Sequence, residues 1–568
     1  MNRQNLELDS AWARDLVLLV KNTYIWLDQL SRKYQTRISF LDQIPEEEIA
    51  EIAARGITGL WLVGIWQRSP ASRKIKQLYG KTDALASAYS ILHYIPADDL
   101  GGEEALEKLQ HRLAAKGILL TCDMVPNHSG MDNSWMFDHP DRYLYTEVNP
   151  IRDFSFNTPN LSENPAGEIY LEKGYYDQSA AAEVFKLVLH QVHQTRYVYH
   201  GNDGTSMPWN DTAQLNYLNP ETRHAVLEEI VRVAQQFPII RLDAAMTLTR
   251  EHFKRLWFPA AGADHFIPTR NAFSLSDAEF DRLMPHEFWA EVIRELAVKA
   301  PRTLLIAEAF WLTEHFFINR IGMHRVYNSS FMHHLADENN REYRGYLKSI
   351  LLKDPAMLER FVNFLTTPDE LPAIVQFGSS AKYFGAGRML ACLPGLPLFG
   401  HGQWEGYRER YGMDVAQPSL PEEPDPVIVS DHDRWIRPLL QKRTSFSSAE
   451  HFRLYDFMQP DHTVNEDVYA FSNAGREGAF LVLFNNSVNS ARGSIHESVP
   501  QKLDAANSQP HRSFLCKNLG LAENGQAALR EVGGELDEVE EPRVMDIASG
   551  LQLELGPYES KVYRILPV

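Results

Sequence analysis

The sequence predicts an α/β fold built on parallel strands, either an open sheet or a (β/α)8 barrel, with an irregular insertion and a C-terminal antiparallel β-domain. Three observations predict it. Short, nearly unbroken apolar runs recur, as a buried parallel sheet requires. Each run is followed by a stretch with helical periodicity. Past about Ala449 the pattern changes to short strand-like runs separated by polar loops.

The first strand is placed at Tyr24-Ile-Trp-Leu-Asp28, close enough to the start that the chain is read as a piece of a longer polypeptide or as one without an N-terminal module. The clearest runs after it are GLWLVGI (59–65), ILLTCDMV (118–125), PIIRLDA (238–244), TLLIAEA (303–309), FVNFL (361–365) and GLPLFG (395–400). One helix carries Leu106, Leu109 and Leu113 on a single face and stops at Gly117. Another opens with Asn219-Pro220, a cap followed by proline at the first helical position, and presents Val226, Ile230, Val233 and Phe237. Between Ser129 and Asn216 the chain is rich in Asn, Asp, Pro, Tyr and Gly, which reads as an irregular inserted subdomain. Residues 1–128 and 217–448 then form the main domain, 129–216 the insertion and 449–568 the β-domain, with strands at VYAFSN (468–473), AFLVLFNNS (479–487) and SKVYRIL (560–566). GNDGT (201–205) lacks the lysine of a phosphate loop and reads as a turn, and the acidic run Glu535–Glu541 as a solvated loop.

Bulk properties narrow the function. The 568 residues include 56 basic and 75 acidic side chains, a net charge of -19. Such a surface repels phosphate backbones and anionic lipids, so neither nucleic acid nor membrane is an expected partner. Cys122, Cys392 and Cys516 are too few and too scattered for a disulfide framework or a thiolate zinc site. His190, His193 and His200 come with no Cys or acidic ligand pattern. With no apolar leader and no spanning run, the chain reads as soluble and cytoplasmic.

Four apolar runs end in polar residues where a core strand should hold none. These are Asp123-Met-Val-Pro-Asn127-His128, Arg241-Leu-Asp243, Glu308, and the stretch FLTTP leading into Asp369-Glu370. A lone carboxylate at a strand end is usually a cap or half of an ion pair. Four of them, in an order that a barrel would deliver to one face, are better explained by a shared site. Arg241 and Asp243, two apart on a strand, point the same way.

These residues resemble the α-amylase superfamily of glycoside hydrolases. DMVPNH (123–128) is similar to its first signature, RLDAA (241–245) to its second and Ala307-Glu308 to its third. The stretch 87–118 resembles the approach to the first signature, and GLPLFGHGQWEG (395–406) the last barrel strand and loop. The resemblance implies a (β/α)8 barrel with the subdomain inserted after the third strand. It implies Asp243 as nucleophile, Glu308 as general acid/base and Asp369 as the third carboxylate, with Arg241, His128 and Tyr89 binding substrate. A retaining pair of this kind sits roughly 5–5.5 Å apart across an oxocarbenium-like transition state.

Three departures stand out. Thr367-Pro368-Asp369 lacks the histidine usual beside the third carboxylate; His401 and His93 are candidate replacements for its hydrogen bond. Gln214 stands where the family places an aspartate ligand for calcium, so calcium is possible beside Asn127, which matches one ligand, but is not predicted, and no cofactor is required. Ser90 replaces the usual aspartate after the tyrosine. Trp209, Trp257, Phe310 and Trp311 flank the signatures without an assigned role. The resulting expectation is a retaining hydrolase or transglycosylase acting on α-1,4-glucosidic bonds of glucans or malto-oligosaccharides. The alternatives are a non-catalytic saccharide-binding relative, or a phosphorylase using the same carboxylates. Oligomeric state is left open.

Overall fold

A computed structural model describes residues 11–205, 207–262, 267–310, 313–502, 509–521, 526–533, 543–546 and 550–567. The acidic run Glu535–Glu541 and Trp311 lie outside the described residues. Eight parallel strands close into a barrel: β1 (Leu18–Asn22), β2 (Gly59–Val63), β3 (Leu119–Met124), β4 (Ile239–Leu242), β5 (Leu304–Ala307), β6 (Arg325–Tyr327), β7 (Phe361–Phe364) and β8 (Leu396–Phe399). This decides the alternative left open by periodicity. Closure comes from β1 pairing with both β2 and β8, Leu18 lying opposite Gly59 and Leu398.

Six of the strands lie within the apolar runs. The first does not. Tyr24–Asp28 is helical, part of Thr23–Lys33, and β1 is the preceding run Leu18–Asn22. Asn22 ends the strand by capping that helix, its side-chain oxygen accepting the Ile25 N–H at 3.5 Å. A short apolar segment such as Tyr-Ile-Trp-Leu cannot be told from a strand by pattern alone. The sixth strand, three residues beginning with Arg325, had no apolar run to reveal it.

The two helices read from the sequence form as expected. Gly102–Ala114 buries Leu106, Leu109 and Leu113 ahead of Gly117, whose φ is 75°. Pro220–Ala234 is capped by Asn219, which accepts the Glu221 N–H. Between β3 and β4 the chain is more regular than expected. Tyr145–Thr146, Gln194–Tyr199, Val184–Leu189 and Gly167–Leu171 make an antiparallel sheet in that order. A second pair, Thr212–Gln214 against His128–Gly130, ties this segment to the barrel. GNDGT is a turn, Asn202 and Asp203 accepting the N–H groups of Gly204 and Thr205.

The C-terminal sheet has six strands, including Val468–Gly475, Gly478–Asn485 and Ser560–Pro567. It packs on the helix Ala381–Cys392. A Cβ on Gly385 would lie 2.1 Å from the Phe484 ring, so only glycine lets sheet and helix approach this closely. Buried Arg344 reaches across to Asp456 and Glu466, 2.7 Å from each. No helix among the described residues is long and apolar enough to cross a membrane.

Candidate active site

The C-terminal ends of β3, β4 and β5 and the loop after β7 deliver four carboxylates to one guanidinium. Arg241 lies in register with Asp123 on β3 and Ile306 on β5, so parallel pairing alone sets it beside Asp123. Its Nη1 donates to Asp123 at 3.1 Å and to Asp243 at 2.6 Å. Its Nη2 lies 2.7 Å from Glu308 Oε1 and 3.8 Å from Asp369 Oδ2. The Arg241 side chain is only 1% exposed, whereas that of Asp369 is 47% exposed and stands at the mouth. The structure therefore brings together Asp243, Glu308, Asp369 and Arg241.

One cation among four acids leaves excess negative charge in a dry site. Burial lifts the Glu308 carboxyl to about 8; Arg241 opposes this, and the charges of Asp243 and Asp369 add to it. Burial also raises Asp243 to about 6, against the pull of Arg241 and with the help of Asp123 and Asp369. Asp123 rises to about 6 for the same first reason. Two neighbouring carboxyls thus hold their protons over different pH ranges, the condition for assigning one to acid and one to nucleophile.

Backbone geometry fixes the second carboxyl. Ala244, directly after Asp243, adopts the left-handed region at φ 45°, uncommon for a residue with a Cβ. Its N–H then donates to Glu308 Oε2 at 2.7 Å. Local strain of this kind concentrates at functional sites.

Tyr89 lies over the cluster, its ring 5.4 Å from the Arg241 guanidinium, and its buried hydroxyl has no hydrogen-bond partner. A buried, unpaired hydroxyl facing carboxylates is a natural contact for a ligand. His128 is buried against Trp209, the ring centroids 4.9 Å apart, and hydrogen-bonds the Tyr89 backbone. Burial lowers it to about 4, so it is neutral near pH 7. Of the other aromatics, Phe310 packs 6.3 Å from Tyr327, while Trp257 is core, packed on Tyr199.

Neither candidate for the missing histidine is suited to the task. His401 Nδ1 accepts the Asn22 N–H at 3.1 Å, which leaves Nε2 to donate to Gln29 at 2.9 Å. Both nitrogens are spent holding β8 to the start of the chain. His93 lines a groove of about 360 Å³ with Ile95, Trp135 and Glu229, and neither Asp243, Glu308 nor Asp369 lines that groove. Ser90 keeps a structural hydrogen bond by another route, donating to the Asp211 carbonyl at 2.6 Å.

The residues at the calcium position do not fit the ion. Gln214 Nε2 donates to Asn127 Oδ1 at 3.0 Å and to the Asn127 carbonyl at 2.9 Å. Asn127 Nδ2 returns a bond to Gln214 Oε1 at 3.2 Å. The oxygens a cation would need are already engaged, and no carboxylate joins them. Among the described residues no group of three His, Cys, Asp or Glu side chains is placed to hold a metal.

Three contributors were not singled out as site residues from the sequence. Asp123 was visible as a strand end, but its bond to Trp61 Nε1 at 2.9 Å and its place on Arg241 needed the register. Trp61 read as one more apolar strand residue. Tyr327, its ring 5.9 Å from Arg241, lies on the unrecognised β6.

A family model described as the α-amylase catalytic domain matches residues 47–361, more than half of the chain. The chain belongs to the α-amylase family. It is an α-amylase-type glycosidase, a hydrolase or transglycosylase. The matched span holds Asp123, Asp243 and Glu308 and ends before Asp369. No curated protein sequence matches the chain. Solved structures of this α-amylase family do. A noncanonic maltogenic α-amylase from Thermotoga neapolitana is 16% identical with a TM-score of 0.59, covering 98% of this chain and 100% of that one. An acarbose-soaked debranching enzyme from Nostoc punctiforme is 14% identical with a TM-score of 0.59, covering 98% and 99%. An α-amylase from Geobacillus thermoleovorans complexed with acarbose is 14% identical with a TM-score of 0.56, covering 98% and 99%. At these identities the likeness concerns the fold.

Proposed function

We propose that this α-amylase family member is a retaining glycosidase of α-1,4-linked glucans or malto-oligosaccharides, working by double displacement. Asp243 attacks the anomeric carbon as its bond to the leaving oxygen breaks, and Glu308 gives that oxygen its proton. Glu308, now ionised, takes the proton of the incoming water or sugar hydroxyl, which displaces Asp243 from the anomeric carbon. Asp369 binds hydroxyls of the reacting ring. Tyr89 packs on that ring, and His128, bonded to the Tyr89 backbone, holds the tyrosine in place. Arg241 keeps Asp243 ionised in a dry site.

The observation that carries this reading is the convergence of Asp243 and Glu308 on one buried guanidinium, 2.6 Å and 2.7 Å from Arg241, with Asp369 at the mouth of the same cluster. A barrel that only binds sugar needs no such pair of buried carboxyls on one cation. The names of the solved relatives, which include amylases and a debranching enzyme with acarbose, support an α-glucan substrate.

The test is incubation with maltoheptaose beside the variant Asp243→Asn. Conversion lost in the variant supports the reading, with shorter and longer products indicating transfer and shorter ones alone hydrolysis. An inert enzyme that still binds the glucan would favour the non-catalytic alternative.

A further inference from the structure

Resting on the roles just proposed, the barrel order fixes which way a bound glucan must run. Glu308 on β5 protonates the leaving group, so the chain beyond the scissile bond lies on the β5 side. The remainder of the sugar, from its 4-hydroxyl outward, points across the barrel mouth towards β1 and β8.

That side is walled off. The segment Tyr411–Asp414, from the loop after β8, crosses to the loop that carries Tyr89. The Met413 carbonyl accepts the Ala88 N–H at 2.9 Å and the Asp414 carbonyl accepts the Leu85 N–H at 2.8 Å. Arg68 Nη1 adds a bond to the Met413 carbonyl at 3.3 Å, and Asn22 Nδ2 one to the Gly412 carbonyl at 3.3 Å. Gln29 Nε2 donates to the Tyr411 hydroxyl at 3.0 Å, and the Tyr411 ring packs with Ile25 and Tyr407 and lies 4.7 Å from His401. The Asp414 carboxylate faces Lys76 at 3.8 Å and Lys81 at 3.7 Å. These anchors draw on β1, the helix after it and the loops after β2 and β8, so the crossing is held from several elements at once.

Beneath it remains a hollow of about 30 Å³, bordered by Asn22, Thr367, Pro368, Glu370, Arg410 and Tyr411 among others. That is room for a few water molecules. A hexose ring does not fit there.

We infer that this strap ends the cleft directly behind the reacting sugar, so the enzyme removes or transfers single α-glucosyl units from non-reducing ends and from short α-glucosides, and does not cut internal bonds. A chain with a further sugar on the 4-hydroxyl of the reacting unit would have to pass through Met413 and Tyr411.

The test uses the unmodified protein and three substrates: p-nitrophenyl α-glucoside, maltoheptaose labelled at its reducing end, and a p-nitrophenyl maltoheptaoside blocked at its non-reducing end. The expected result is release of nitrophenol from the glucoside, labelled maltohexaose as the first product of the heptaose, and an intact blocked substrate. Cleavage of the blocked substrate, or labelled trimers and tetramers as first products, overturns the strap as a barrier while leaving the glycosidase reading in place. No turnover of any of the three overturns the glycosidase reading itself, and this inference with it.

Discussion

Replacing Asp369 by asparagine removes one negative charge from the mouth of the site and leaves its shape nearly unchanged. Asp369 Oδ2 and Glu308 Oε1 lie 3.8 Å and 2.7 Å from the same Arg241 nitrogen, so those two oxygens are at most about 6.5 Å apart. Two unit charges at that spacing interact by roughly 2.5 kcal/mol at an effective dielectric constant of about 20. Asp369 is half exposed, and water and Arg241 screen it, so roughly half of that survives, equivalent to about one pH unit. Asp369 raises both Glu308 and Asp243, so its loss moves both flanks of the activity profile to lower pH. The expected wild-type profile of kcat/KM is a bell, rising through about pH 6 as Asp243 ionises and falling through about pH 8 as Glu308 loses its proton. The assay is kcat/KM between pH 4.5 and pH 9.5 (about the range needed to see both flanks) on maltoheptaose, whose sugar leaving group needs the Glu308 proton. Flanks that stay in place, or move to higher pH, would refute the electrostatic coupling on which the acid and nucleophile assignments rest.

Other perturbations follow from the same contacts. Arg241→Gln leaves four carboxylates facing no cation, and loss of one partner of a buried pair costs about 3–5 kcal/mol, so its urea midpoint falls together with its activity. Glu308, Asp243 and Asp123 hold their protons more tightly folded than unfolded. They favour the fold at low pH and that benefit is lost as pH rises through about 6 and then about 8. The urea midpoint therefore falls from about pH 4, where the unfolded carboxyls ionise, to about pH 8, and Glu308→Gln flattens the part of the decline above about pH 6. A chelator leaves the melting temperature unchanged, whereas Gln214→Ala strands the buried Asn127 amide and costs about 1–3 kcal/mol in urea unfolding. His93→Ala keeps wild-type kcat/KM, because His93 lies in a groove apart from the carboxylates.

What the sequence disclosed follows from the reach of its signals. Strand ends carrying Asp243 and Glu308 were legible because a charged residue closing an apolar run is conspicuous within a few positions. The helix caps at Asn219 and Gly117 were legible for the same local reason. Leu18–Asn22 was missed because its apolar run merges into that of the helix behind it, and the boundary is set by the Asn22 cap. Arg325–Tyr327 was missed because three residues carry no periodicity. The roles considered for His401 and His93 could be judged only from contacts far along the chain, such as the bond from the Asn22 N–H to His401. The strap is the extreme case: Met413 meets Ala88 through main-chain atoms, and side-chain patterns say nothing of that.

The most direct test of the central claim is to trap the intermediate on Asp243. A 5-fluoro-α-glucosyl fluoride slows breakdown of a glycosyl-enzyme more than its formation, so the adduct accumulates and can be read by intact mass and peptide mapping. The account predicts one fluoroglucosyl group per chain, carried by the peptide containing Asp243 and absent from Asp243→Asn. A label on Glu308 or Asp369, or turnover that inverts the anomeric configuration without an adduct, would contradict it.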